Sequence, residues 1–288
     1  MISRRSRALL SRYALASSAL SGEAGERTAM EAGHSVEYHD FRPYQPGDEL
    51  RYVDWNAYAR TGRLYTRLHR AERNIRLHIL LDVSASMRVG AKLDYARRLA
   101  QLLSFVGQRD ARNQVHLSDG RSGRPVHGLR TIGETWDFIE GASVVQEAPL
   151  PVEAVRGLAL EGLAGGGSAL ALIVSDLFDE APLRPALTAL RARGLDASFL
   201  HTVAEADLDP VAELLELIDA ETGERLEVSG AQVQAYRRAV REFIARRRGE
   251  ILSAGFRHVL LPVPAAGTED LERHAFSALL KAGILERR

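Results

Sequence analysis

The chain has 288 residues, of which 45% are apolar and 26% are charged, close to the averages of globular proteins. These values argue against a disordered, collagen-like or coiled-coil chain. The 38 basic and 38 acidic residues cancel, so the composition disfavours general electrostatic binding to nucleic acid or anionic lipid. The absence of cysteine excludes disulfides, thiolate catalysis, zinc sites with cysteine ligands and iron–sulfur clusters.

Residues 1–33 begin with a basic cluster followed by small and apolar residues. An export signal needs an uninterrupted apolar core of ~7 to 15 residues, and Arg12 interrupts the only candidate. We therefore expect an amphipathic helical extension here. No run approaches the ~18 to 20 apolar residues of a membrane-spanning helix, so the sequence predicts a soluble, cytoplasmic protein without membrane contact.

The segment 34–75 is rich in aromatic residues, proline and glycine. Pro43 and Pro46 disfavour a helix, and residues 64–68 alternate as in a half-buried strand. Its aromatic residues are too dense for a free linker, so we predict that it packs against the domain that follows.

Two aromatic residues of this segment, Trp55 and Tyr58, are interpreted first as core residues. The alternative is that Trp55 and Arg60 contact a partner. Arg60 also begins a strip of arginines that could meet an anionic partner, although nearby acidic residues can pair with it.

From Arg76 onward, short apolar runs alternate with segments of helical periodicity, as in a parallel sheet covered by helices. Apolar residues at helical spacing between Leu93 and Val106 predict one such helix. Thr131 and Ser229 fit helix starts, and Gly194 fits a helix end. The candidate strands are 77–81, 114–117, 170–174, 197–203 and 258–263. Residues 76–288 are thus predicted to form an α/β domain with a doubly wound, mostly parallel sheet flanked by helices.

Residues with polar side-chain oxygens follow two of these strands in the sequence. Asp82, Ser84 and Ser86 occupy alternate positions after the first strand, and Asp176 follows the strand at 170–174, which is expected to neighbour the first strand in a 3-2-1-4 order. Ligands bind beyond the carboxyl ends of such strands, and Mg²⁺ prefers hard oxygen ligands. These four residues are therefore predicted to form a metal site. The alternative is that Asp82 and Asp176 cap the segments that follow them.

This pattern resembles the metal-ion-dependent adhesion site of von Willebrand factor A domains, which also uses a threonine. Residues 41–48, 54–62, 82–87 and 219–224 are similar to the signature of the bacterial "domain of unknown function 58" family. The resemblance extends from about Gly33 to the C-terminus. It implies a von Willebrand factor A-like or Rossmann-like fold and a bound Mg²⁺ or another hard divalent cation. It also implies a non-enzymatic adaptor that acts with a MoxR-type AAA+ ATPase in assembling or activating other proteins.

One departure from that pattern concerns the threonine. The loop in which it should lie, between Gly141 and Pro151, has Ser143 as its single hydroxyl residue. We therefore expect a degenerate site that binds the cation weakly, with Ser143 as a low-ranking additional ligand. An acidic residue of the ATPase or of a client protein would fill the open coordination position.

The enzymatic alternative is a metal-dependent phosphohydrolase with Asp82 as nucleophile. Phosphatases of the haloacid dehalogenase class have a second carboxylate two residues later, where this chain has Ser84. They also use a lysine, and the two lysines here, Lys92 and Lys281, lie in helix-like segments. The chain lacks a Walker loop, a G-x-S-x-G elbow and an H-E-x-x-H pair, so a binding module is favoured over an enzyme.

Two weaker features received structural interpretations. Residues 165–168 lack the lysine of a phosphate-binding loop and are interpreted as a hinge. The nine histidines show no ligand spacing and are interpreted as structural or solvated.

Overall fold

A computed structural model gives the fold. It describes residues 10–16, 38–46, 50, 53–69, 75–146, 148–149, 151–161, 169–209, 216–218, 225–227, 230–264 and 271–288. The chain divides into two compact units. The smaller is Ala24–Arg73, and the larger combines Met1–Glu23 with Asn74–Arg288.

The smaller unit contains an antiparallel strand pair and one short helix. In chain order these are β2 (Tyr38–Pro43), α1 (Trp55–Thr61) and β3 (Tyr65–His69), after the first strand β1 (Tyr13–Leu15) of the larger unit. The Asp54 carboxylate caps α1 by accepting a hydrogen bond from the Ala57 amide, and Gly62 ends the helix with φ +67°. The predicted strand at 64–68 is confirmed, whereas the packing of 34–75 on the α/β domain stays a prediction.

The larger unit alternates strands and helices, as predicted. Its first half contains β4 (Arg76–Leu81), a 3₁₀ helix (Ala85–Ala91), α2 (Lys92–Gly107), β5 (Arg112–Leu117), α3 (Ile132–Glu140), α4 (Pro151–Glu161) and β6 (Ala169–Ser175). Its second half contains α5 (Arg184–Ala192), β7 (Leu195–Ala204), α6 (Glu205–Leu208), β8 (Glu216–Ile218), β9 (Arg225–Glu227), α7 (Gly230–Ser253), β10 (Arg257–Val263), α8 (Leu271–Lys281) and β11 (Leu285–Arg287).

Five parallel strands form the central sheet in the spatial order β10-β7-β6-β4-β5. All five predicted strands are confirmed, and the fold class is the predicted α/β class with a doubly wound sheet. Numbered along the chain, the strand order is 2-1-3-4-5, not 3-2-1-4. The third strand nevertheless pairs with the first, with Leu81 opposite Val174.

Helices cover both faces of this sheet, which explains why its strands are so uniformly apolar. All seven residues of β6 are buried. On one face, α2, α3 and α8 share a core with Leu77, Ile79 and Leu81 of β4. On the other face, α4 and α5 pack with Leu80 of β4 and Ile173 of β6.

Three predictions at element ends have different outcomes. The end of α5 is confirmed, since Gly194 follows it with φ +67°. Thr131 does precede α3, but its hydroxyl donates to the His127 and Gly128 carbonyls instead of capping the helix. The helix start at Ser229, the hinge at 165–168 and the segment 219–224 lie outside the described residues.

The helical extension predicted for residues 1–33 is wrong at Tyr13–Leu15. These residues form β1, which pairs with β11 at the far end of the chain. Leu10 and Leu15 are buried in the core beside α2, so burial and strand pairing override the local helical pattern. None of the described helices offers an 18-residue stretch apolar enough to cross a bilayer.

Candidate functional site

The candidate site lies where strand order reverses between β4 and β6. The chain leaves β4 toward β5 on one side and leaves β6 toward β7 on the other, so the loops after these strands diverge and open a crevice. Asp82 follows β4 and Asp176 follows β6. The Asp82 amide donates to the Val174 carbonyl at 3.0 Å, which joins the two loops.

The Asp82 carboxylate is buried, and its contacts are neutral donors. Its Oδ1 accepts from the Ser84 amide at 2.9 Å and from the Ser118 hydroxyl at 3.3 Å. Its Oδ2 accepts from the Ser175 hydroxyl at 2.5 Å. Ser118 and Ser175 come from the ends of β5 and β6 and were not predicted as site residues. The signal for Ser175 in the sequence is a serine at the end of an apolar run, whereas Ser118 follows a strand of mixed polarity and has no comparable signal.

The hydroxyls of Ser84 and Ser86 lie 3.2 Å apart, both buried. Ser84 precedes the 3₁₀ helix without capping it through its side chain, so its oxygen remains available to a ligand. Neighbouring ligands of an octahedral Mg²⁺ at ~2.1 Å from the ion are about 3 Å apart. The spacing of these two oxygens fits such an ion.

Asp176 is also buried, but its carboxylate is held by a lysine. Its Oδ2 accepts from Lys92 Nζ at 2.7 Å, and its Oδ1 accepts from the Phe178 amide at 3.1 Å. Lys92 Nζ also lies 2.9 Å from Oδ2 of Asp207, which lies in α6 directly after β7. We call Lys92, Asp176 and Asp207 the Lys92 cluster. Lys92 lies in a helix, as the sequence indicates, and as the first residue of α2 it reaches Asp176 with its ammonium group.

The charges of this region do not balance. Asp82, Asp176 and Asp207 carry three carboxylates, and Lys92 is the ammonium group that contacts two of them. Burial and the neighbouring Asp176 charge raise the pKa of Asp82 from 3.8 to about 6. Burial lowers the pKa of Lys92, but the Asp176 and Asp207 charges outweigh it and raise that pKa above its usual value. The site therefore favours a bound cation or a proton at Asp82.

The residues predicted as metal ligands thus separate into two groups. Asp82, Ser84 and Ser86 come together as hard oxygen donors, whereas Asp176 faces Lys92. Ser143 is exposed, although its loop is tied to the site by a hydrogen bond from the Val145 amide to the Val83 carbonyl. Within the described ranges, no three His, Asp or Glu side chains form a metal-binding group. A cation here would depend on hydroxyl ligands.

The predicted partner-binding residues lie on α1 of the smaller unit. Trp55 is 55% exposed and meets Tyr58, 46% exposed, edge to face with ring centroids 6.3 Å apart. The core interpretation of these two aromatic residues is therefore wrong. Arg60 is exposed and donates to the Asn56 carbonyl.

The chain is similar to one protein family and to uncharacterized mycobacterial proteins. The model of the family described as "Protein of unknown function DUF58" matches residues 40–115. That stretch contains the segments 41–48, 54–62 and 82–87, and excludes 219–224. The uncharacterized proteins Rv1480 of Mycobacterium tuberculosis and Mb1516 of Mycobacterium bovis are each 25% identical over 207 residues. These matches cover 69% of this chain and 65% of each relative's own length.

Solved structures give weaker likenesses. An aerotolerance-related membrane protein from Bacteroides fragilis is 13% identical with a TM-score of 0.43, over 72% of this chain and 99% of that one. Proximal thread matrix protein 1 from the mussel byssus, with a zinc-occupied MIDAS motif, is 13% identical with a TM-score of 0.36, over 45% of this chain and 38% of that one. Likenesses of this size carry no argument about the ligands or partners of this chain.

Proposed function

We propose that the chain is a non-enzymatic, cytoplasmic protein-binding module of the von Willebrand factor A type. Its cation site at the carboxyl edge of the sheet would be formed by Asp82, Ser84 and Ser86, with Ser143 or water in place of the missing threonine. The site would hold Mg²⁺ or another hard divalent cation. The observation that carries this proposal is the buried Asp82 carboxylate, whose side-chain contacts are neutral hydroxyls.

The proposed binding mode follows from the small number of charged ligands. Mg²⁺ held by one carboxylate and hydroxyls keeps positive charge and an open coordination position. An Asp or Glu of a partner protein fits that position. The proposed partner is a MoxR-type AAA+ ATPase or a client protein, an idea that rests on the resemblance to the "domain of unknown function 58" family. Trp55 and Arg60 are proposed as a second contact, since exposed aromatic and arginine side chains often anchor interfaces.

The experiment measures cation and partner binding together. Mg²⁺ is titrated by calorimetry into the purified chain alone and into its complex with the ATPase. Linkage requires that cation and partner strengthen each other by the same factor. Asp82→Asn should abolish that coupling. The matched control is Asp94→Asn, because the Asp94 side chain is 70% exposed and forms a surface ion pair with Arg97. Equal Mg²⁺ affinity with and without partner contradicts the bridging mechanism.

The phosphohydrolase alternative gains one observation, because Lys92 does enter the site. However, Lys92 and Asp82 are buried, and both oxygens of Asp82 already accept hydrogen bonds. A phosphate would have to displace these contacts before Asp82 could attack it. Hydrolysis of p-nitrophenyl phosphate that co-purifies with the chain and is lost in Asp82→Asn would establish this alternative in place of the adaptor.

A further inference from the structure

Lys92 has the geometry of a bound cation. Its ammonium lies between one carboxylate oxygen of Asp176 and one of Asp207, at 2.7 and 2.9 Å. The Phe178 ring covers it with the centroid 5.0 Å from Nζ. The Lys92 side chain is only 1% exposed to solvent.

The choice of lysine at this position is itself informative. Of the 38 basic residues of the chain, 36 are arginine, so arginine is the default cation elsewhere. An ammonium is a compact point charge, whereas a guanidinium is a planar fork that needs more room. The space between the two carboxylates suits the point charge, which is also the shape of a metal ion.

The backbone is strained next to both members of the Lys92–Asp176 pair. Among the described residues, the non-glycine residues with positive φ are Ala91 (57°) and Leu177 (53°). They are the sequence neighbours of Lys92 and Asp176. Such conformations persist only where the surrounding structure requires them, and they cluster at functional sites. Two separate loops are thus held in costly conformations on either side of this one ion pair.

We propose that Lys92 is a built-in cation that neutralises Asp176, keeps that carboxylate out of the coordination shell, and lowers the affinity of the Asp82 site for divalent cations. This inference deepens the proposed function, because it assigns the regulation of the same site. The site is then assembled without metal. Tight cation binding then requires the extra carboxylate of a partner. Lys92 thus makes the affinity for the cation depend on whether the partner is bound.

Removing the charge of Lys92 tests this directly. In Lys92→Met, Asp176 and Asp207 lose their counterion and add negative charge beside Asp82. Calorimetric titration with Mn²⁺ should give an affinity at least tenfold higher than that of the wild type. The melting temperature of this variant should also rise more with Mn²⁺ than that of the wild type. Lys281→Met is the matched control, because Lys281 is exposed at the end of α8, and it should behave as the wild type does.

A second variant keeps the inference testable if Lys92→Met does not fold. The double variant Lys92→Met/Asp176→Asn removes the ion pair as a unit and leaves the net charge unchanged. Its Mn²⁺ affinity should stay within threefold of the wild type, because the pair is outside the coordination shell. A tenfold loss would show that Asp176 is a ligand and would overturn the inference.

The outcomes separate this inference from the proposed function. If a folded Lys92→Met binds Mn²⁺ no more tightly than the wild type, the inference fails while the cation site can still stand. If the wild type binds no Mn²⁺ even with the partner present but Lys92→Met does, the inference stands and the cation part of the proposed function fails. Where Lys92→Met gains affinity for Mn²⁺, that gain must disappear in Lys92→Met/Asp82→Asn, or the ion is bound elsewhere and the inference is wrong.

Discussion

Replacing Asp82 with asparagine should stabilise the metal-free protein at neutral pH. The folded chain raises the pKa of Asp82 from 3.8 to about 6, first through burial and then through the Asp176 charge. At ~1.4 kcal/mol per pKa unit, the ionised carboxylate costs the fold about 3 kcal/mol. Asparagine removes the charge, but its single carbonyl oxygen cannot accept from Ser84, Ser118 and Ser175 as the two carboxylate oxygens do, which offsets part of that gain. We therefore expect a net gain of about 1 to 3 kcal/mol at pH 7.5.

The pH dependence of this gain has a definite sign. A carboxyl group whose pKa is higher in the folded state binds its proton more tightly there. Its contribution to stability is present below the unfolded pKa of 3.8 and is lost as the pH rises to about 6. The advantage of Asp82→Asn should thus be absent near pH 4, grow up to about pH 6, and stay constant above it.

Urea denaturation of both proteins in EDTA, from pH 4 to pH 8, measures this difference. Titration of distant histidines is common to both proteins and cancels in the comparison. Repeating the series with Mg²⁺ should stabilise the wild type alone, because the variant lacks the charged ligand. The reasoning is refuted if the wild type is the more stable protein at pH 7.5 in EDTA. The Asp82 charge would then stabilise the fold as a cap of the Ser84 amide.

Three further predictions follow from particular residues. Gly90→Ala should destabilise the fold more than Gly194→Ala does. Both glycines have positive φ, but a Cβ at Gly90 would lie 2.7 Å from the Ala204 Cβ, whereas a Cβ at Gly194 would meet no atom within 4 Å. Urea denaturation of both variants measures the difference. Trp55→Ala should shift the melting temperature by less than about 2 °C, because exposed substitutions change stability by about 0.5 kcal/mol or less, and a drop above 5 °C would contradict this. Burial lowers the pKa of His201 to about 3 and that of its partner His258 to about 4. The stability that these neutral imidazoles contribute should therefore be lost as the pH falls from about 6.5 to 4. In denaturation experiments over this pH range, His201→Gln should lose less stability than the wild type.

The sequence predicts the centre of the sheet well because β4, β6 and β7 are buried on both faces. Uniformly apolar runs are rare elsewhere in the chain, so the five strands and the helix after Lys92 could be identified from composition and periodicity. Asp82 and Asp176 were placed at strand ends by the same argument, and their strands are neighbours. The local sequence contains enough information for these features.

Contacts between distant segments could not be predicted in this way. Strand β1 pairs with β11 at the other end of the chain, and no local pattern connects the two. Two contacts between histidines on neighbouring strands could not be predicted for the same reason. His78 lies 3.0 Å from His116, and His201 lies 3.1 Å from His258, each across two neighbouring strands, so their proximity depends on strand order and register. Trp55 was misplaced because aromatic density indicates order but not which side of a segment is exposed.

The position of Lys92 explains why the four ligands predicted from the sequence do not all come together in the structure. Helical periodicity puts Lys92 at the start of α2, and a first-turn lysine is ordinarily solvated. Here Gly90 and Ala91 both have positive φ, so the chain turns sharply just before the helix and carries the lysine inward. The ammonium then takes the place beside Asp176 that the pattern of oxygens alone would give to a metal ion. A lysine occupies that place at every Mg²⁺ concentration, whereas in the proposed function the ion at Asp82 would be held weakly and would depend on the partner. In that proposal, Lys92 keeps the two loops assembled without a metal ion, and cation binding at Asp82 is the step that depends on the partner.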